Sequence, residues 1–448
     1  MHRNGPFDAE DLARIGTEAA RLAWASGMTV LRPDGAVVPI PLVAEPELLD
    51  RERLAWLADE SRAILSGSVK LARLLVARGD PRDREALLGP FEGLEAEAMA
   101  RLFDGAPCPA VVSRVDFLPP ADGGLPRALE LNATIPAMPA YADLAAHSWI
   151  RAAARARGLS PRRERDLLAQ AGSHMEALRE TLVAFYRWRG GTRERPSIAI
   201  VARPGDAQIG ELRRLEAHLR QMGHVAEVLV PEAADPDAHD LLYRHVWAHR
   251  TPPSSPFARA LREPARWPLA NPVNGLLEAK ALFARLSESA GDPALSDAAG
   301  LDAAERAAAA RLPWTRLHGE ATVERLLADR ERHVLKRSWD YGGKSVHLGA
   351  ETAPADWERV VREAALDRRG GGFVAQERIF AARRPATRIT PSGVEPGSLY
   401  RDVSTYGGLL PVHPRGSVVR AAASPVVNIL GGGGLAPVVP RDVWDGLA

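Results

Sequence analysis

One stretch of the chain restricts its fold more than any other. Residues 197 to 231, SIAIVARPGDAQIGELRRLEAHLRQMGHVAEVLVP, pass from an apolar run through a short loop and an amphipathic run ending near Gly223 to a second apolar run. Two strands joined through a helix lie parallel, because a connection of that length crosses over the sheet rather than turning back, so a small parallel sheet is predicted here. The loop has only Gly205 before Gly210, so the G-x-G-x-x-G pattern of dinucleotide-binding folds is missing and a nicotinamide dehydrogenase has only the β-α-β unit behind it.

A chain of 448 residues exceeds one ordinary core, and different textures flank this unit. Residues 8 to about 105 are rich in Ala, Leu, Arg and Glu at helical spacing, broken by proline at 39, 41, 46, 81 and 90. From Ala110, short apolar runs with polar residues inside them take over. The predicted fold is therefore α/β (α+β) in three parts: residues 1–195, a helical segment plus a polar hairpin; 196–270, a small Rossmann-like α/β domain; and 271–448.

Lys and Arg total 58 against 57 Asp and Glu, a formal charge of +1, so no global field draws the chain to nucleic acid or an anionic membrane. Any phosphate recognition must be local. Cys108 is the only cysteine, which excludes an internal disulfide and a cysteine-cluster zinc site and suits a reducing cytoplasm. Asp8, Glu10, Asp11 and Glu18 interrupt the opening residues, unlike a secretory signal, and no run of about 18 apolar residues predicts a membrane span. His245 and His249 are spaced i, i+4, but no Glu lies between them, so the zinc-peptidase pattern fails.

Four constellations carry chemistry. AVVSRVDFL (110 to 118) and RALELNATIP (127 to 136) read as a hairpin across Gly123 and Gly124, with Arg114 and Asp116 on one face of the first strand and Glu130 and Asn132 on one face of the second. Two carboxylates and an amide oxygen are hard ligands suited to Mg²⁺, and an arginine beside them can hold a phosphoryl oxygen; the same alternation also describes the wet face of an ordinary hairpin. In VLKRSWDYGGKSV, Lys336 ends a strand and Tyr341, Gly342, Gly343 and Lys344 form a tight turn whose backbone amides can approach phosphate. A P-loop is excluded there, because Ser338 stands where its first glycine belongs. FVAQERI offers Gln376, Glu377 and Ile379 at a strand end, and Arg420 is followed by Asn428 and four glycines, 431 to 434, that suit a closing loop.

The order of these elements resembles the circularly permuted ATP-grasp superfamily, which includes glutathionylspermidine synthase and eukaryotic glutathione synthetase. SRVDF and LELNATIP look like its R-x-D and E-x-N pair, and NPVNGLLEAKALFARL is similar to its segment carrying a nucleotide-phosphate lysine, which would be Lys280. Ordinary ATP-grasp chains place the metal ligands after the lysines; here they come before, as in the permuted branch. The resemblance covers most of residues 110 to 440 and leaves the helical opening unplaced.

It implies an ADP-forming ligase that joins a small-molecule or peptide carboxylate to an amine through an acyl phosphate, with ATP and two Mg²⁺. Lys280, Lys336, residues 341 to 344, Gln376, Glu377 and Ile379 would hold ATP. Asp116, Glu130, Asn132 and Asp340 would hold metal. Arg114 would stabilise phosphoryl or tetrahedral oxygens, Arg420 would hold a substrate carboxylate, and Asn428 with Gly431, Gly432 and Gly433 would close over the substrate. A nucleotide-binding protein that has kept this scaffold without turnover is the alternative. No nucleic-acid or membrane partner is expected, and either a monomer or a homodimer is compatible with the sequence.

Overall fold

A computed structural model describes residues 6–105, 108–340, 345–429 and 431–448. The 197–231 stretch folds as predicted: Ile198–Ala202 and Ala226–Leu229 pair in parallel, joined by the helix Ile209–Gln221. Leu241–His245 joins the other edge of Ile198–Ala202, and Leu269–Ala270 follows it, giving a four-stranded parallel sheet. All five residues of the Ile198–Ala202 strand are buried, as an inner strand covered on both faces requires.

The largest sheet has seven strands and draws on both ends of the chain. Its order is Arg384–Thr390, Leu42–Val43, Gly434–Ala436, Ser417–Ala422, Gly393–Gly407, Ser113–Leu118 and Arg127–Asn132. The predicted hairpin forms its edge pair, with a register shift between Asp116 and Phe117. Val115 and Phe117 point into a core shared with Leu57, Ile64 and Leu65 of the helix Arg51–Arg78. That helix begins at Asp50, whose side chain accepts from Arg53 N, and stops at Gly79 in the left-handed conformation. The opening segment is not wholly helical: Thr29–Leu31, Val37–Pro39, Leu42–Val43 and Glu47–Leu49 are short strands, where prolines and β-branched residues displace the helical spacing.

A separate antiparallel sheet runs Thr315–Leu317, Phe373–Glu377, His333–Arg337, Val346–Leu348. Leu335, Phe373 and Ala375 on one face pack with Trp357 and Val361 of the helix Pro354–Leu366. Alternation then turns Val334, Lys336 and Gln376 to the opposite face, toward the large sheet. The segment that carries Lys280 is not one continuous helix: a short 3-10 turn, Gly275–Glu278, precedes the helix Lys280–Ser289.

Candidate active site

The hairpin register pairs Asp116 with Glu130 and Arg114 with Asn132, and the next strand sets Ser404 opposite Asp116. Asp402 and Arg420 face each other one strand further. Arg114 forks onto Asp116, Nε to Oδ1 at 2.8 Å and Nη2 to Oδ2 at 3.0 Å. Arg420 donates from Nη2 to Asp116 Oδ2 at 2.9 Å and from Nε to Asp402 Oδ1 and Oδ2 at 3.2 and 3.1 Å. Two arginines and two aspartates thus alternate in one row, all but Arg420 buried.

Burial alone would raise the Asp116 carboxyl, but the two guanidiniums overcome it and hold the group well below the usual carboxylate range. Asp402 goes the other way: burial pushes it up despite Arg420. Desolvation would lower Arg420, but the two aspartates hold it above its ordinary value.

The facing wall supplies the lysines. Lys336 Nζ donates to Gln376 Oε1 at 2.7 Å, and burial pulls its ammonium down to about 8, an effect that Glu130 opposes and Lys280 reinforces. Lys280 Nζ donates to the Asp340 carbonyl at 2.9 Å and lies 3.6 Å from Glu130 Oε2.

Between the walls is a cavity of about 430 Å³. Its lining includes Arg114, Asp116, Glu130, Asn132, Lys280, Lys336, Asp340, Gln376, Glu377, Ile379, Arg420 and Asn428. Hydrophobic side chains, among them Leu129, Val334, Leu348 and Ile379, line it as well, so one space offers both a flat apolar ring and a charged chain somewhere to rest. Tyr341, Gly342, Gly343 and Lys344 lie outside the described residues. Gly431, Gly432 and Gly433 are not among the lining residues; the 425–428 segment, PVVN, lines the cavity instead. A Cβ on Gly433 would sit 2.6 Å from the Asn428 carbonyl, so that glycine serves a tight turn.

Among solved structures, a glutathione synthetase-like effector from Globodera pallida, in its apo form, superposes with a TM-score of 0.55 at 13% identity, over 97% of this chain and 98% of that one. The chain shares that protein's fold. A Methylobacillus flagellatus protein proposed to be a gamma-glutamylcysteine synthetase aligns with a TM-score of 0.39 at 12% identity, over 86% of this chain and 94% of that one. No protein-family model matches the chain, and no curated protein matches it in sequence.

Hard oxygen donors on this wall suit Mg²⁺, and the Glu130 side chain, 34% exposed, is accessible from the cavity. Asp116 is sheathed by its two arginines, and among the described residues no group of three or more His, Cys, Asp or Glu side chains is arranged to hold a metal. His245 and His249 share nothing: His245 is buried, and His249 Nδ1 pairs with Glu95 Oε2 at 3.0 Å.

Sequence reasoning missed Asp402, Glu278, Trp247 and Trp339, all of which line the cavity. Asp402 left one legible signal, a lone acid in the alternating run SLYRDVSTYGG. No helix is long and apolar enough to cross a membrane among the described residues.

Proposed function

We propose that this chain is an ATP-dependent carboxylate–amine ligase with a circularly permuted ATP-grasp core. The observation that carries the proposal is the meeting of Glu130 with Lys280 and Lys336 around one cavity: acids encoded early in the chain face lysines encoded much later. ATP would lie with its adenine near Gln376, Glu377 and Ile379 and its phosphates toward Lys280 and Lys336. Preorganised cations there stabilise charge that develops on the phosphoryl oxygens as a substrate carboxylate attacks.

Glu130, Asn132, Asp116 and Asp340 are the residues that would hold Mg²⁺, which when bound neutralises phosphate charge and orients the transferring group. Arg114 is positioned by Asp116 and by the Ala137 carbonyl, to which its Nη1 donates at 3.1 Å, so its guanidinium is fixed before any ligand arrives. Arg420 has Nε and Nη2 committed to aspartates, leaving Nη1 as the donor it could offer a substrate carboxylate. The resulting acyl phosphate would be opened by an amine, releasing phosphate.

An ADP-release screen with Mg²⁺ and ATP over amino acids, short peptides and amines tests this. Release that requires both an acid and an amine supports the ligase. ATP binding without release on any pair supports the alternative of a nucleotide-binding protein without turnover.

A further inference from the structure

The segment joining the parallel sheet to Lys280 does more than connect them. Asn271 Nδ2 and Asn274 Nδ2 both donate to the Ala133 carbonyl at 3.0 Å, and Arg244 Nε donates to the Asn271 carbonyl at 2.7 Å. Asn271 adopts a positive φ of 57°, which turns its side chain back onto the hairpin, where its Oδ1 accepts from Val111 N and Val112 N at 2.9 Å each. Glu278 completes the bracket: its Oε1 accepts from Ala133 N at 2.6 Å and Thr134 N at 2.5 Å. These two amides follow directly on Asn132, the end of the E-x-N strand. Two residues beyond Glu278, Lys280 begins the helix whose ammonium meets Glu130, and Lys280 N and Ala281 N anchor that helix start to the Ser338 carbonyl and Oγ at 3.0 Å each.

We infer that Glu278 is a positioning residue: a single carboxylate oxygen ties the strand carrying Glu130 and Asn132 to the helix carrying Lys280, and so sets the spacing between the metal-side acids and the phosphate-side lysine. This rests on the ligase assignment above. An acid inside LLEAKALF looks from sequence like a solvated helix position, yet here its job is done by one acceptor oxygen facing two backbone donors. Both amides are served by one oxygen, which a glutamine side chain also carries, so the acceptor is the feature the bracket needs. Glutamine can reproduce it; alanine cannot.

The test compares Glu278→Gln and Glu278→Ala in the full chain. Hydrogen exchange should show the 133–134 amides protected in the native protein and in Glu278→Gln, and fast in Glu278→Ala. Calorimetry with ATP should show metal-free binding within about twofold in all three, while the Mg²⁺-dependent part weakens by about 10- to 100-fold in Glu278→Ala and is largely rescued by glutamine, the range typical of groups that orient metal ligands. Unchanged exchange in Glu278→Ala, or altered exchange with unaltered Mg²⁺-dependent binding, overturns the inference. Equal loss in the glutamine variant also overturns it. If the native protein binds no ATP at all, the ligase assignment fails instead. Should Glu278→Ala not fold, Glu278→Asp, whose shorter arm withdraws the acceptor, is compared with Glu278→Gln by the same two readouts.

Discussion

Arg420 Nη2 lies 2.9 Å from Asp116 Oδ2, although the two residues are 304 positions apart. Asp116 is buried, the Arg420 side chain is 15% exposed to the cavity, and Arg114 and Asp402 complete the row. A row of this kind is costly to break, because removing one member strands a charge that water cannot reach. Asp116→Asn is therefore predicted to destabilise the protein by about 3 to 5 kcal/mol, read as a lower urea midpoint with an unchanged m-value. Because its folded-state pKa is depressed, the Asp116 contribution is present above the unfolded value and disappears as pH falls through the acid range.

Glu130 differs in kind. Its side chain is 34% exposed to the cavity and meets Lys280 at 3.6 Å. Glu130→Gln is predicted to leave stability within about 1 kcal/mol, as for a partly wet ion pair, while ADP release falls about 10² to 10³-fold. Parallel thermal melts and turnover assays check both halves. Loss of fold with loss of rate would make Glu130 a structural residue.

Lys336 gives a pH signature. Its ammonium is pulled down to about 8 by burial, and a phosphate ligand would favour the charged form. ATP affinity is predicted to fall as pH rises through about 8, with proton uptake on binding near that pH. Titrations in buffers of different ionisation enthalpy measure the uptake, and Lys336→Arg, always charged, is expected to remove it.

Glu211 gives another, read in stability. Its carboxylate accepts from Met138 N at 3.0 Å and Ala140 N at 3.3 Å at the start of the helix Pro139–Ala156, and burial pushes it to about 8. An acid with a raised folded pKa holds a proton that the unfolded chain has lost, so stability is predicted to decline from about pH 4.5 to about 8, with a slope approaching 1.4 kcal/mol per unit. Glu211→Gln should flatten the denaturation free energy across that window.

What the sequence could reveal was set by range. The Arg114, Asp116, Glu130 and Asn132 pattern was legible because strand alternation is local, and the β-α-β unit because its period changes within 35 consecutive residues, 197 to 231. The Asp402 and Arg420 pairing was not, since it depends on the register of a 15-residue strand whose two halves pair with different partners. Glu278 sits in a run that reads as a surface helix, and only the fold brings Ala133 and Thr134 onto its carboxylate. The four glycines suggested a closing loop; the turn after Asn428 uses Gly433 for close backbone approach, and Gly434 likewise meets the Pro41 carbonyl.

The central claim is that one cavity holds ATP between Glu130 and the two lysines, and calorimetric titration of Mg²⁺-ATP into the native protein and Glu130→Gln, Lys336→Met double variant tests it most directly. The ligase account predicts one saturable site per chain in the native protein and at least a hundredfold weaker binding in the variant. Absence of binding to the native protein at millimolar ATP, or equal binding to both, would contradict it.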